Sequence, residues 1–238
     1  MTSSPIPTLA TAADVAANIA AVQARIARAA ESVGRDPESV TLVGVSKTFP
    51  PELVTFAHQA GLRHFGENWV QEAEDKLPAL ATLAPGPQWH FIGHLQTNKV
   101  KAVLELFDII ESVDSLHLAE AISRRSAGRM VPILLEVNVA AEATKFGFAL
   151  DEVPHAVAQA RLLPGIDLRG LMTVAPEAAE ADQVRPVFRA LRELAHAQGL
   201  AELSMGMTND FEVAIQEGAT MVRLGRAIFG ARARRAVA

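Results

Sequence analysis

Cysteine is absent from all 238 residues, which removes disulfides, thiolate nucleophiles and thiolate-held metals. Tyrosine is absent too, so no phenol can act as an acid or base. Positive charge is not in excess: 22 Lys and Arg stand against 27 Asp and Glu, a net charge of −5. That argues against a general nucleic-acid binder and leaves room for one tight anion site. No stretch approaches ~20 uninterrupted apolar residues, so no membrane span is expected. The opening "MTSSPIPTLATAADVAANIA" has no basic segment followed by a long apolar run and does not read as a secretory leader. A cytoplasmic, enzyme-like domain is the expectation.

What is present suits a substantial core: 50% hydrophobic and 21% charged residues. Val15, Ile19, Val22, Ile26 and Val33 fall at helical spacing, with Gly34 as the stop. From there the chain alternates. Strand-like runs occur at 41–46, 63–66, 88–92, 109–113, 131–138, 166–172, 201–205 and 220–224. Helical stretches fall at 51–60, 69–82, 97–106, 115–127, 150–161, 180–198, 209–217 and 226–235. Eight βα units point to an α/β fold, a single (β/α)8 TIM-type barrel with an extra N-terminal helix. A doubly wound open sheet stays open, because alternation alone does not decide closure. Residues 1–238 read as one domain, with 1–10 flexible.

In such a barrel, reactive groups gather at the carboxyl ends of the strands. Lys47 ends the first strand in "TLVGVSKTFP". Partial burial of its amine would suit a Schiff base with an aldehyde or ketone. Judged by spacing alone, a solvated strand terminus is the commoner role for such a lysine. "LSMGMTND" and "VRLGRAIFG" are strand–glycine–helix turns at the last two strands. Ser204, Gly206, Gly225 and the Arg226 amide would there form a phosphate cup, although two ordinary turns explain the glycines equally well. Asn68, directly after a strand, suits a ligand oxygen, but a helix N-cap is the favoured role. His90 and His94 lack an acidic or histidine partner at ligand spacing, so no metal site is expected. Lys99 and Lys145 read as solvated. Glu136 and Asn138 share a strand face, as polar lining or with Glu136 paired to a base.

"VGVSKTFP", "HFGENWVQEAEDK", "WHFIGHLQTNK", "LRGLMTVAP" and "LSMGMTNDFEVAIQEGATMVRLGRAIFG", in this order over about residues 40–230, resemble the small pyridoxal phosphate homeostasis proteins. Those in turn resemble the N-terminal barrel of alanine racemases. The resemblance implies a cofactor, pyridoxal 5'-phosphate (PLP), joined to Lys47 as a covalent aldimine. Ser204 and the amides of Gly225 and Arg226 would hold its phosphate, Arg223 would face the pyridine nitrogen, and Asn68 would lie at the ring's polar edge. Guanidinium only donates, so a nitrogen facing Arg223 is an unprotonated acceptor and the ring a poorer electron sink. Trp69 stands where the family often has tyrosine, and Arg226 where Ser or Thr is frequent.

A racemase of the resembled design needs an opposing tyrosine, which this chain lacks. The expectation is therefore PLP buffering and delivery to PLP-accepting apoenzymes by a monomer, without strong turnover. A PLP-dependent racemase, or a cofactor-free Schiff-base aldolase on the same barrel, are the alternatives.

Overall fold

The computed structural model describes residues 10–142, 144–178 and 180–231. The expected flexibility of residues 1–9, and the expected helix beyond residue 231, lie outside them.

Eight parallel strands close on themselves in sequence order. They are β1 (Thr41–Val45), β2 (His64–Glu67), β3 (Gln88–Phe91), β4 (Ile109–Val113), β5 (Val131–Glu136), β6 (Ile166–Met172), β7 (Glu202–Ser204) and β8 (Met221–Leu224). Pairing of Thr41 with Met221 and Val43 with Arg223 makes the seam, so the sheet is a barrel and not an open doubly wound sheet. Among the described residues the helices are α1 (Ala12–Glu31), α2 (Pro51–Gln59), α3 (Val70–Lys76), α4 (Val100–Leu106), α5 (Leu116–Arg125), α6 (Val153–Ala160), α7 (Arg185–Ala197), α8 (Phe211–Gln216) and α9 (Arg226–Phe229).

α1 begins at a capping box in which Thr11 and Asp14 bond each other's backbone N–H. It buries Val15, Ile19, Val22 and Ile26 against α2, α8 and α9, outside the β1/β8 seam. Arg25 forks onto Glu212 at 2.8 and 3.0 Å, and Asn18 donates to the Ile228 carbonyl. Val33 does not belong to this face. The helix stops at Glu31, Gly34 takes φ +71°, and Val33 is 45% exposed.

Several helices are shorter than their apolar pattern. Pro78 lacks an N–H, and the expected 69–82 helix becomes α3 plus a 3-10 turn at Leu77–Leu80. The 97–106 and 180–198 stretches likewise open with 3-10 turns, at Thr97–Lys99 and Ala181–Val184. α9 ends after one turn, at Gly230 with φ +84°. α8 starts at Phe211 with Asp210 in the cap position. Asp210 accepts the Met207 N–H at 2.5 Å.

Candidate functional site

The end of β1 is clamped from both sides. Ser46 donates its N–H to the Gly66 carbonyl at 3.0 Å and its hydroxyl to Glu67 Oε1 at 2.7 Å. Lys76 Nζ donates to the Ser46 carbonyl at 2.8 Å and to Glu67 and Glu72 at 2.7 Å each. Thr48, in the left-handed region at φ +70°, gives its N–H to Glu72 Oε1 at 2.6 Å. Lys47 thus projects from a backbone whose neighbours on either side are both tied to one ionic cluster. Burial raises the Glu67 carboxyl, and Lys76 and Ser46 offset that only in part. The sequence reading missed this cluster. Its only trace was the i,i+4 pair of Glu72 and Lys76 on one helix.

Lys47 is half-buried, with Nζ 5.9 Å from the centroid of the Trp69 ring, itself 49% exposed. The register brings other strand ends level with it. Val45 pairs with Gly66, so Lys47 and Asn68 leave the barrel together. Gly44 pairs with Leu224, setting Gly225 opposite Val45, where a Cβ would stand 3.2 Å from the Val45 carbonyl oxygen. Asn68 is not the expected N-cap. Trp69 occupies that position, and the Asn68 Oδ1 is buried with no hydrogen-bond partner. Such an orphan is costly and signals a missing donor. A Cβ on Gly93 would come within 2.1 Å of the Asn68 carbonyl oxygen, so glycine there lets the β2 and β3 ends meet.

Arg223 points into the barrel, 4% exposed. It donates to the Thr173 carbonyl at 2.8 Å and to Ser204 Oγ at 2.5 Å. Ser204 in turn donates to Glu111 Oε2 at 2.5 Å, so its single hydroxyl hydrogen is engaged below the mouth. Gly206 has φ +94°, and a Cβ there would meet the Ala214 Cβ at 2.6 Å. Packing on α8 alone therefore requires that glycine. Arg226 is exposed at the start of α9.

Glu136 lies at the end of β5. Burial, then Asp114, push its carboxyl up to about 7 against the pull of Arg223. Asn138 does not line the barrel with it. Its amide bonds the backbone of Glu142 and Lys145, holding the loop after β5. Lys145 is not solvated either: it pairs with Glu142 at 2.7 Å and reaches the Val174 carbonyl at 3.2 Å. His94 pairs with Asp114 at 2.9 Å and stacks on Phe146 at 3.8 Å. His90 is hydrogen-bonded within its strand layer, to Glu111 and His64. Among the described residues no three His, Asp or Glu side chains are grouped to hold a metal ion.

An amine, an unpartnered acceptor and a glycine turn thus share one mouth, with a buried cation inside the same barrel. That set fits an aldehyde with a hydrogen-bond donor for Asn68, an acceptor ring atom and an anionic tail.

The profile of the family "Alanine racemase, N-terminal domain" matches residues 17–233. The "Pyridoxal phosphate homeostasis protein" of Pseudomonas aeruginosa is 46% identical over 222 residues, covering 92% of this chain and 96% of that protein. PipY of Synechococcus elongatus, solved with PLP bound, superposes with a TM-score of 0.79 at 35% identity, covering 91% of this chain and 100% of that one. An alanine racemase from Corynebacterium glutamicum shares the fold, with a TM-score of 0.67 at 17% identity. The chain spans 95% of itself but 63% of that racemase. By profile, identity and fold together, the chain belongs to the alanine racemase N-terminal domain family, among the pyridoxal phosphate homeostasis proteins.

Proposed function

We propose that this protein holds PLP as a Schiff base on Lys47 and takes part in intracellular PLP homeostasis, buffering the cofactor and delivering it to apoenzymes. The whole chain acts as one barrel domain, a monomer in the cytoplasm, without nucleic-acid or membrane partners. Among the described residues no helix is long and apolar enough to cross a membrane. The observation that carries the reading is the shared level of Lys47, the orphaned Asn68 oxygen and the Gly225 turn at one mouth, with Arg223 buried inside the same barrel.

PLP supplies an aldehyde for a lysine amine and a ring that stabilises negative charge. The chain's own residues bind and orient. Lys47 would hold the group covalently. Arg223 would donate to the ring nitrogen and so favour its unprotonated form. Asn68 would meet the ring's polar edge. The amides of Gly225 and Arg226, beside the Gly206 turn, would receive the phosphate. Ser204 joins that cup only by exchanging its bond to Glu111 for one to phosphate.

Acid–base equipment is sparse, which favours handling over turnover. The chain has no tyrosine, and a racemase of the related design needs two opposed acid–base groups. Glu136, near 7, supports one second reading: slow proton exchange on amino acids.

Absorption of the freshly purified protein tests the proposal. Yellow colour that bleaches with borohydride, with the label on Lys47, and a colourless Lys47→Ala variant are expected. A colourless wild type saturated with PLP would leave the Schiff-base aldolase reading. Deuterium exchange on amino acids at enzyme-like rates would defeat the carrier reading.

A further inference from the structure

Ionisable side chains form a single file through the barrel. From Arg223 the file passes to Ser204 and Glu111, each step 2.5 Å. Glu111 Oε1 then meets His90 Nδ1 at 2.5 Å, and His90 Nε2 meets His64 Nδ1 at 3.0 Å. Arg223 also lies 3.9 Å from Glu111 directly. Glu111 is 0%, His90 3% and Arg223 4% exposed. Barrel interiors are ordinarily filled by branched apolar side chains. Desolvating each charge costs several kcal/mol even after relaxation, and apolar packing of the same space is often as stable. Filling space therefore does not account for the file.

Its far end opens at the opposite mouth. His64 is the first residue of β2, and a cavity of about 340 Å³ sits there among the strand starts, lined by His64, Gln88, His90, Arg169, Glu202 and Thr220. Lys47 is at the other end of the same parallel strands.

Hydrogen positions follow from the partners. Burial alone would raise the Glu111 carboxyl, but His90, Arg223 and Ser204 more than offset this and hold it below the usual range. A carboxylate only accepts, so His90 carries a hydrogen on Nδ1. With both rings neutral, His90 Nε2 accepts from His64 Nδ1. Burial, then any positive charge on His90, hold the His64 imidazole below its ordinary value. Among the described residues no hydrogen bond engages His64 Nε2, and this ring borders the cavity.

A proton taken up there at His64 Nε2, with the Nδ1 hydrogen passed to His90 Nε2, balances. His64 ends neutral in its other tautomer, and His90 becomes an imidazolium beside Glu111. The charged and titratable groups facing His90 are Glu111 on β4, His64 on β2 and Glu202 on β7, and Asp108, just before β4, acts on His64. Arg223 of β8 lies across Glu111, and Arg169 of β6 lies 3.9 Å behind Glu202.

We propose that Glu111 and His90 are positioning residues for Arg223, coupled through His64 to protons from the mouth opposite Lys47. An imidazolium at His90 draws the charge of Glu111 away from Arg223 and strengthens the cation's field at the ligand end. This rests on the reading that Arg223 faces the PLP ring nitrogen.

Linkage is reciprocal: a proton on His90 that tightens PLP binding is itself held more tightly once PLP is bound. Histidine side-chain NMR on the full chain, titrated with and without saturating PLP, reads this directly. His90→Asn assigns the resonance and keeps an N–H for Glu111. PLP is expected to move the His90 midpoint upward by about half a pH unit or more. The same His90 component is expected to vanish from the pH dependence of the PLP dissociation constant in His90→Asn. A merely structural His90 would not move with PLP. An unmoved midpoint in protein visibly loaded at Lys47 overturns the relay alone. Wild-type PLP affinity in Lys47→Ala overturns the site reading, and the relay with it. Should His90→Asn misfold, the wild-type titration still decides.

Discussion

Arg223 is a cation held inside the barrel by its surroundings. Burial lowers its hold on its proton, and Glu111, then Glu136 and Asp210, offset that only in part. Arg223→Glu reverses this charge beside Glu111. Such a variant is expected to retain PLP at least about tenfold more weakly, because a charge-assisted donor is lost and a like-charge pair gained. Its visible band should respond differently to pH, and identical spectra across pH would refute the placement of the arginine. Glu136 gives a prediction with a definite sign. Its folded value of about 7 stands above the reference 4.5, so the folded state binds more protons between them. Stability is full below 4.5 and falls as pH rises towards 7, by about 3 kcal/mol at most. Glu136→Gln should flatten that slope in urea unfolding at a series of pH values. Lys47 was readable as a candidate because it follows the end of β1, although spacing alone favoured a solvated terminus, whereas Arg223, inside β8, entered only through the family resemblance. Glu111 was not readable, because a carboxylate in the apolar run of β4 acquires meaning only through partners 21 and 93 positions away.

At the scale of elements, the Lys47 turn depends on α3. Lys76 is 5% and Glu67 0% exposed, and the pair meets at 2.7 Å. Lys76→Met keeps the stem and removes the cation, leaving Glu67 buried without its partner. A loss of roughly 3–5 kcal/mol is expected in chemical unfolding. Adding Glu67→Leu should recover much of it, since an apolar pair of similar volume is often no less stable. PLP loading should stay impaired in the double variant, because Ser46 loses its bonds to Glu67 and Lys76 while Thr48 keeps only Glu72. Element type was readable from periodicity nearly everywhere, and boundaries were not. Pro78, Gly230 and Val33 show why. Proline and glycine end a helix through backbone geometry, and an apolar residue one turn too late has no face to pack on.

For the molecule as a whole, bound PLP should add to folding stability by mass action. At free PLP 100 times the dissociation constant the gain is about 2.7 kcal/mol. In a domain of this size that is a rise of about 5–10 °C in Tm. Scanning calorimetry should show the rise in the wild type and not in Lys47→Ala, whose circular dichroism should otherwise be unchanged. Loss of that spectrum would make Lys47 a structural element. Composition, the βα rhythm and the residues ending each strand were enough to set the number of units, the barrel as the leading architecture and a candidate mouth at the carboxyl ends of the strands, because these follow from local spacing along the chain. Closure of β1 on β8, the orphaned oxygen of Asn68, the ionic clamp behind Lys47 and the file from Arg223 to His64 were decided only in three dimensions. Each depends on burial and on partners far apart in sequence, and desolvation gives a charge its meaning only once the fold has surrounded it.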